Sequence, residues 1–137
     1  MDLKAKREYL MHYQSAQNRI IGLTHEIEKW QGIAEQVNSA LNNAGVLSGG
    51  NGSKVERGAV NVADIITSIQ KEIDSAKQIR DEVFTTIQTK CGKMRHRELL
   101  EMRFVNGMSE NEIAKINKKD VKSISKAITA AIKSMDI

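Results

Sequence analysis

The chain has 137 residues, no proline, 4% aromatic residues and a net charge of +4. A chain without proline has nothing forced to interrupt a helix, and so few aromatic residues leave little material for a β-sandwich. The length excludes a large α/β enzyme with a cofactor domain, and an all-α fold is expected.

The charge is unevenly placed. Residues 1–89 carry 10 Lys/Arg against 11 Asp/Glu, whereas residues 90–137 carry 11 against 6. The whole positive excess therefore lies in the C-terminal third, which points that third toward a polyanion.

The first predicted element is a long helix. Tyr9, Tyr13, Ala16, Ile20, Leu23, Ile27, Trp30, Ala34, Val37 and Leu41 recur at alternating spacings of four and three. This heptad seam suits a helix packed in a coiled-coil manner over about 60 Å, with Gly22 and Gly32 each costing up to about 1 kcal/mol relative to Ala. A flexible loop is expected over 42–57, where Gly45, Gly49, Gly50 and Gly52 fall among Asn and Ser. A second seam follows through Ala59, Val62, Ile66, Ile69, Ile73, Ala76, Val83 and Ile87, with Arg80 interrupting it and Ile79 as its expected replacement. Two seamed helices joined by a loop make a long antiparallel helical hairpin, coiled-coil-like, over residues 1–90. A two-helix hairpin buries little, so a homodimer through it, or docking on a partner, is expected.

Cys91-Gly92 ends the second helix, and residues 93–137 read as a separate unit. A helix over Arg97–Val105 is closed by Asn106-Gly107. Ser109 with Glu112 fits a capping box: the Ser109 hydroxyl accepts the amide of residue 112, and Glu112 reaches back to the amide of Ser109. The short helix so started carries Ile113, Ala114 and Ile116. Asn117-Lys118-Lys119 is a turn, and Asp120 caps a final helix whose buried stripe is Val121, Ile124, Ala127 or Ile128, Ala131 and Met135. A short helix, a turn and a longer helix form a helix-turn-helix. Lys119, Lys122, Ser123, Lys126 and Thr129 fall on the outward side of the last helix and suit a DNA major groove. Lys118 at the turn, with Arg95 and Arg97 ahead of the first helix, suits flanking phosphates. Double-stranded DNA is the expected partner.

Residues Glu98-Leu-Leu-Glu-Met-Arg-Phe-Val-Asn-Gly-Met-Ser-Glu-Asn-Glu-Ile-Ala114, most sharply 99–114, resemble the pattern L-x-x-R-[YF]-x-x-G-x-S-x-x-E-I-A. That pattern opens the helix-turn-helix of sigma factor region 4. The overall layout is similar to the ArpU/RinA-like phage transcriptional regulators. The resemblance implies a regulator of phage or prophage promoters in a bacterial cytoplasm, with RNA polymerase as a further partner. It places Arg103 and Phe104 as braces of the unit and residues 119–129 as the reading helix. Where these families carry Leu-Gly in the turn, this chain has Asn117-Lys118, so that either the turn has another shape or Ile116 supplies the apolar plug one place early.

Other functions have weaker support. Trp30-Gln31-Gly32 resembles the W-x-G turn of small type VII secretion substrates, but the seam continues past it to Leu41. His12, His25 and His96 lack partners at ligand spacing, and Cys91 is single. No Gly-rich loop joins a strand to a helix, so no catalysis, metal, cofactor or small-molecule substrate is expected. No signal peptide or membrane span is expected either. The alternative to DNA binding is a non-catalytic coiled-coil adaptor or structural interaction protein.

Overall fold

The structure, a computed structural model, describes residues 1–43 and 49–137, and side chains outside residues 41–60. Every regular element among the described residues is helical. The order is α1 (Leu3–Asn43), α2 (Gly49–Lys90), α3 (Met94–Leu100), α4 (Glu110–Asn117) and α5 (Val121–Ser134), with α3 continuing as a π-helical stretch over Glu101–Val105. No described helix is long and apolar enough to cross a membrane.

The loop expected over 42–57 is largely replaced by helix: 42 and 43 close α1 and 49–57 open α2, while 44–48 lie outside the described residues. Glycine weakens a helix by about 1 kcal/mol per residue without forbidding it, and extending a long helix avoids the cost of nucleating one.

The chain packs as two units, one of Arg19–Ala76 and one of Met1–Asn18 with Lys77–Ile137. In the first, α1 and α2 pair through Ile20 and Leu23 on one side and Ile69, Ile73 and Ala76 on the other. Ile27, Trp30 and Ile65 are only half-buried against this cluster, because each of two paired helices has a single neighbour to cover it. An exposed ion pair, Arg19 to Glu72 at 3.4 Å, lies at the rim and adds little.

In the second unit the first helices run antiparallel. The Tyr9 hydroxyl lies 2.9 Å from Thr86 Oγ1, and Arg80 donates to Gln17 Oε1 at 3.1 Å. Arg80 thus stays on the seam, its guanidinium satisfied by Gln17 and Asp81. Ile79, expected to replace it, is exposed; the aliphatic stem of an arginine can cover apolar surface while its head finds polar partners. Leu10, off the expected seam, is fully buried, whereas Tyr9 and Tyr13 are half-buried.

No packing boundary falls at residues 90–93. Leu10, Val83, Ile87 and Cys91 share one core with Leu99, Leu100, Phe104, Ile113, Ile124, Ile128 and Ile132. The physical reason is size. Helices of seven, eight and 14 residues cannot enclose an apolar core alone, so the ends of α1 and α2 supply its missing wall.

Candidate functional site

The C-terminal helices are held by local bonds that the sequence spells out in part. Ser109 Oγ accepts the amide of Glu112 at 3.1 Å and starts α4. The expected return bond differs: the Glu112 carboxylate receives the Ser109 hydroxyl, at 3.2 Å, in place of its backbone amide. One side chain cannot easily reach both, and the hydroxyl, already turned toward residue 112, is nearer.

The π-helical stretch ends with the Asn106 amide on the Glu101 carbonyl. Widening a helix frees carbonyls at its end, and Gln14 from α1 covers them: its amide donates to Phe104 O at 3.2 Å and Val105 O at 2.6 Å. Gly107 follows with φ +69°, and a Cβ there would stand 3.3 Å from the Gln14 side chain. Both backbone handedness and space therefore favour glycine. Phe104 is buried, with the Arg103 guanidinium 5.6 Å from its ring centre.

Between α4 and α5, Lys118 adopts φ 53°, ψ 44°, and the amides of Lys118 and Lys119 close on the Lys115 and Ala114 carbonyls. Lys118 thus stands in the left-handed conformation that glycine adopts without strain, at a cost of about 1–2 kcal/mol for a residue with a Cβ. Ile116 is no plug; it is exposed. Asn117 turns inward instead, donating to Ile113 O at 2.8 Å and accepting from Arg95 at 2.9 Å.

Asp120 then caps α5 by accepting the Ser123 amide at 2.7 Å. The backbone and hydroxyl of Ser123 both favour the carboxylate and hold the Asp120 pKa below its ordinary value. The buried side of α5 is Ile124, Ile128, Ala131, Ile132 and Met135. Ile128 takes the place left open between it and Ala127. Val121, expected on that stripe, is exposed, because the first turn of α5 extends beyond the core.

Lys122 and Lys126 lie on the side of α5 opposite this stripe and are exposed, as are Ser123, Lys118 and Lys119; Thr129 is half-buried at its flank. Lys133 continues the same line two helical turns beyond Lys126, at the rim of an open depression of about 310 Å³ that Ser125, Lys126, Thr129 and Ala130 also line. The i+7 spacing from Lys126 is the sequence signal that identifies it. Among the described residues, none of these lysines forms an ion pair. Eleven residues of helix span about 16 Å, so the arrangement is a linear cationic edge with hydroxyls beside it, suited to a linear polyanion.

Arg95 and Arg97 do not join that edge. Arg95 is engaged by Asn117 and by Glu98 at 3.8 Å. Arg97 is half-buried, with its Nε enclosed, beside Cys91. Burial pushes the Cys91 thiol up, partly offset by the Arg97 charge, and keeps it protonated at neutral pH as a core residue.

One anchor has no forerunner in the pattern. The ammonium of Lys6, buried in α1, donates to Met135 O at 2.7 Å and Lys133 O at 3.1 Å. It closes the C-terminal end of α5, where the helix dipole favours a cation. Compared with known proteins, the chain matches no family model, no curated protein and no solved structure.

Proposed function

We propose that the chain is a sequence-specific DNA-binding regulator of transcription, with α4, the turn at 118–120 and α5 as its helix-turn-helix. The observation that carries this reading is the line of unpaired lysines opposite the buried stripe of α5. In a major groove, Lys119, Lys122 and Lys126 meet phosphates and guanine edges, while Ser123 and Thr129 offer hydroxyls to either base class. Lys118 and Lys133 reach the backbone at the two ends. The likeness of residues 99–114 to the sigma factor region 4 pattern and the ArpU/RinA-like regulators extends the proposal to phage or prophage promoters. The half-open core of Arg19–Ala76 supports a second copy as its cover, for which mass in solution is the check.

The test is charge reversal at Lys122 and Lys126. The wild-type protein should retard duplex DNA with an affinity that falls steeply with salt, at a slope of about 0.9 per phosphate contact. The K122E/K126E variant should lose about 100-fold or more of that affinity while its circular dichroism and melting stay unchanged. Equal affinity in the folded double variant would leave the adaptor reading in its place.

A further inference from the structure

The outward face of α5 carries an open depression of about 310 Å³. Ser125, Thr129 and Lys133 form one row at a spacing of four and Lys126 and Ala130 the next, so the depression is the groove between two ridges of the helix. Its lining holds two ammoniums, two hydroxyls and no acidic side chain. Neither lysine forms an ion pair among the described residues. The hydroxyls are idle as well. Thr24, Thr67, Thr86 and Thr89 each donate to the carbonyl four residues back, a common outlet for a hydroxyl inside a helix. The half-buried Ser125 and Thr129 make no such bond among the described residues.

Four unspent donors around one depression call for an occupant that accepts hydrogen bonds and carries negative charge. An apolar occupant would strip water from the ammoniums and return nothing. The anionic oxygens of a phosphodiester match both the cations and the hydroxyls. The depression reaches into the C-terminal half of α5, where the helix dipole repels an anion. The buried ammonium of Lys6 offsets that negative end by holding the Lys133 and Met135 carbonyls. Resting on the function proposed above, we infer that the depression seats one backbone phosphate of duplex DNA, held by Lys126, Lys133 and the hydroxyls of Ser125 and Thr129. Ser125 thereby joins the DNA interface, and Thr129 is assigned to the backbone in place of a base. Ala130, exposed and small, keeps the floor of the seat open.

The experiment uses the duplex that the full-length protein selects from a random pool, with each phosphate replaced in turn by a neutral methylphosphonate. S125A/T129V removes only the two hydroxyls, and A130L fills the floor while leaving all four donors. Each variant should melt as the wild type does and bind the unmodified duplex about tenfold less tightly. Among the phosphates whose replacement weakens wild-type binding, one per bound α5 should lose most of its effect in both variants. The loss caused by S125A/T129V should be the same on every single-base variant of the duplex, since a phosphate carries no base identity. The inference is overturned if either folded variant binds as tightly as the wild type, if no replacement loses its effect in them, or if the S125A/T129V loss changes with base sequence. Any of these outcomes alongside salt-sensitive retention of duplex DNA by the wild type sinks this inference alone. Absence of retention on any duplex sinks the proposed function together with it.

Discussion

The two units of this protein are both made of α-helix, yet they bury their apolar residues to different degrees. In Arg19–Ala76 the cluster residues keep between 3% and 8% exposure, and Trp30 beside them is half open. In the unit of Met1–Asn18 and Lys77–Ile137 every clustered core residue lies at 4% or below, and seven are at zero. The difference is one of walls. A helix pair covers one stripe on each member, whereas α3, α4 and α5 surround their core from several directions and borrow the ends of α1 and α2 for the rest. Directional enclosure, more than hydrophobic content, sets how much an apolar side chain contributes to stability.

The largest effects should follow that difference. Leu100→Ala, at a fully enclosed position, should cost about 3–4 kcal/mol, and Ile73→Ala in the helix pair about 2, since a cavity at the half-open site can partly collapse or admit water. Urea unfolding monitored by circular dichroism measures both. Equal costs would remove the contrast. Next comes Lys6→Met, which keeps the buried stem but withdraws the ammonium from two carbonyls. A loss of about 2 kcal/mol is expected, together with faster amide exchange in the last turn of α5. A neutral outcome would mean that water satisfies those carbonyls equally well.

The unequal enclosure also explains what was legible in the residues. Ser109, Asp120, the Ile124–Ile128–Ala131 stripe and the exposed Lys122 and Lys126 are products of spacing along one helix, and spacing is what a sequence displays. Lys6 and Gln14 bond residues 90 to 129 positions away, and the wall borrowed from Leu10, Val83 and Ile87 comes from other helices; no local pattern encodes them. Arg95 shows the limit from the other side. Its charge and position suit a phosphate, but Asn117, 22 residues later, claims it. Val121 fits the period of the stripe and misses the core because periodicity fixes direction and leaves open where the core ends.

A smaller effect concerns the start of α5. Because Asp120 has its pKa lowered in the folded chain by Ser123, its contribution is present above the unfolded-state value near 3.9. It is lost as pH falls through the lower folded-state value. Below about pH 4 the wild type should therefore lose stability that D120N, an uncharged side chain still able to cap, does not lose. Parallel pH profiles for the two proteins would show that the cap acts without its charge.

The smallest effect is at Lys118, where shape and charge can be separated. Lys118→Gly relieves a left-handed strain of about 1–2 kcal/mol, but adds about 0.5–1 kcal/mol of unfolded-chain freedom. A net gain of about 0.5 kcal/mol is expected. Lys118→Ala keeps the strain, so it should leave stability near that of the wild type and below that of the glycine variant. On the proposed DNA interface the two changes are equivalent, since each removes one cation, and both should reduce the salt slope by about 0.9. The glycine variant should thus be the more stable of the pair and no tighter in binding. If glycine instead destabilises the protein relative to alanine, the turn is not left-handed at Lys118, and the tight passage from α4 into α5 must be built another way.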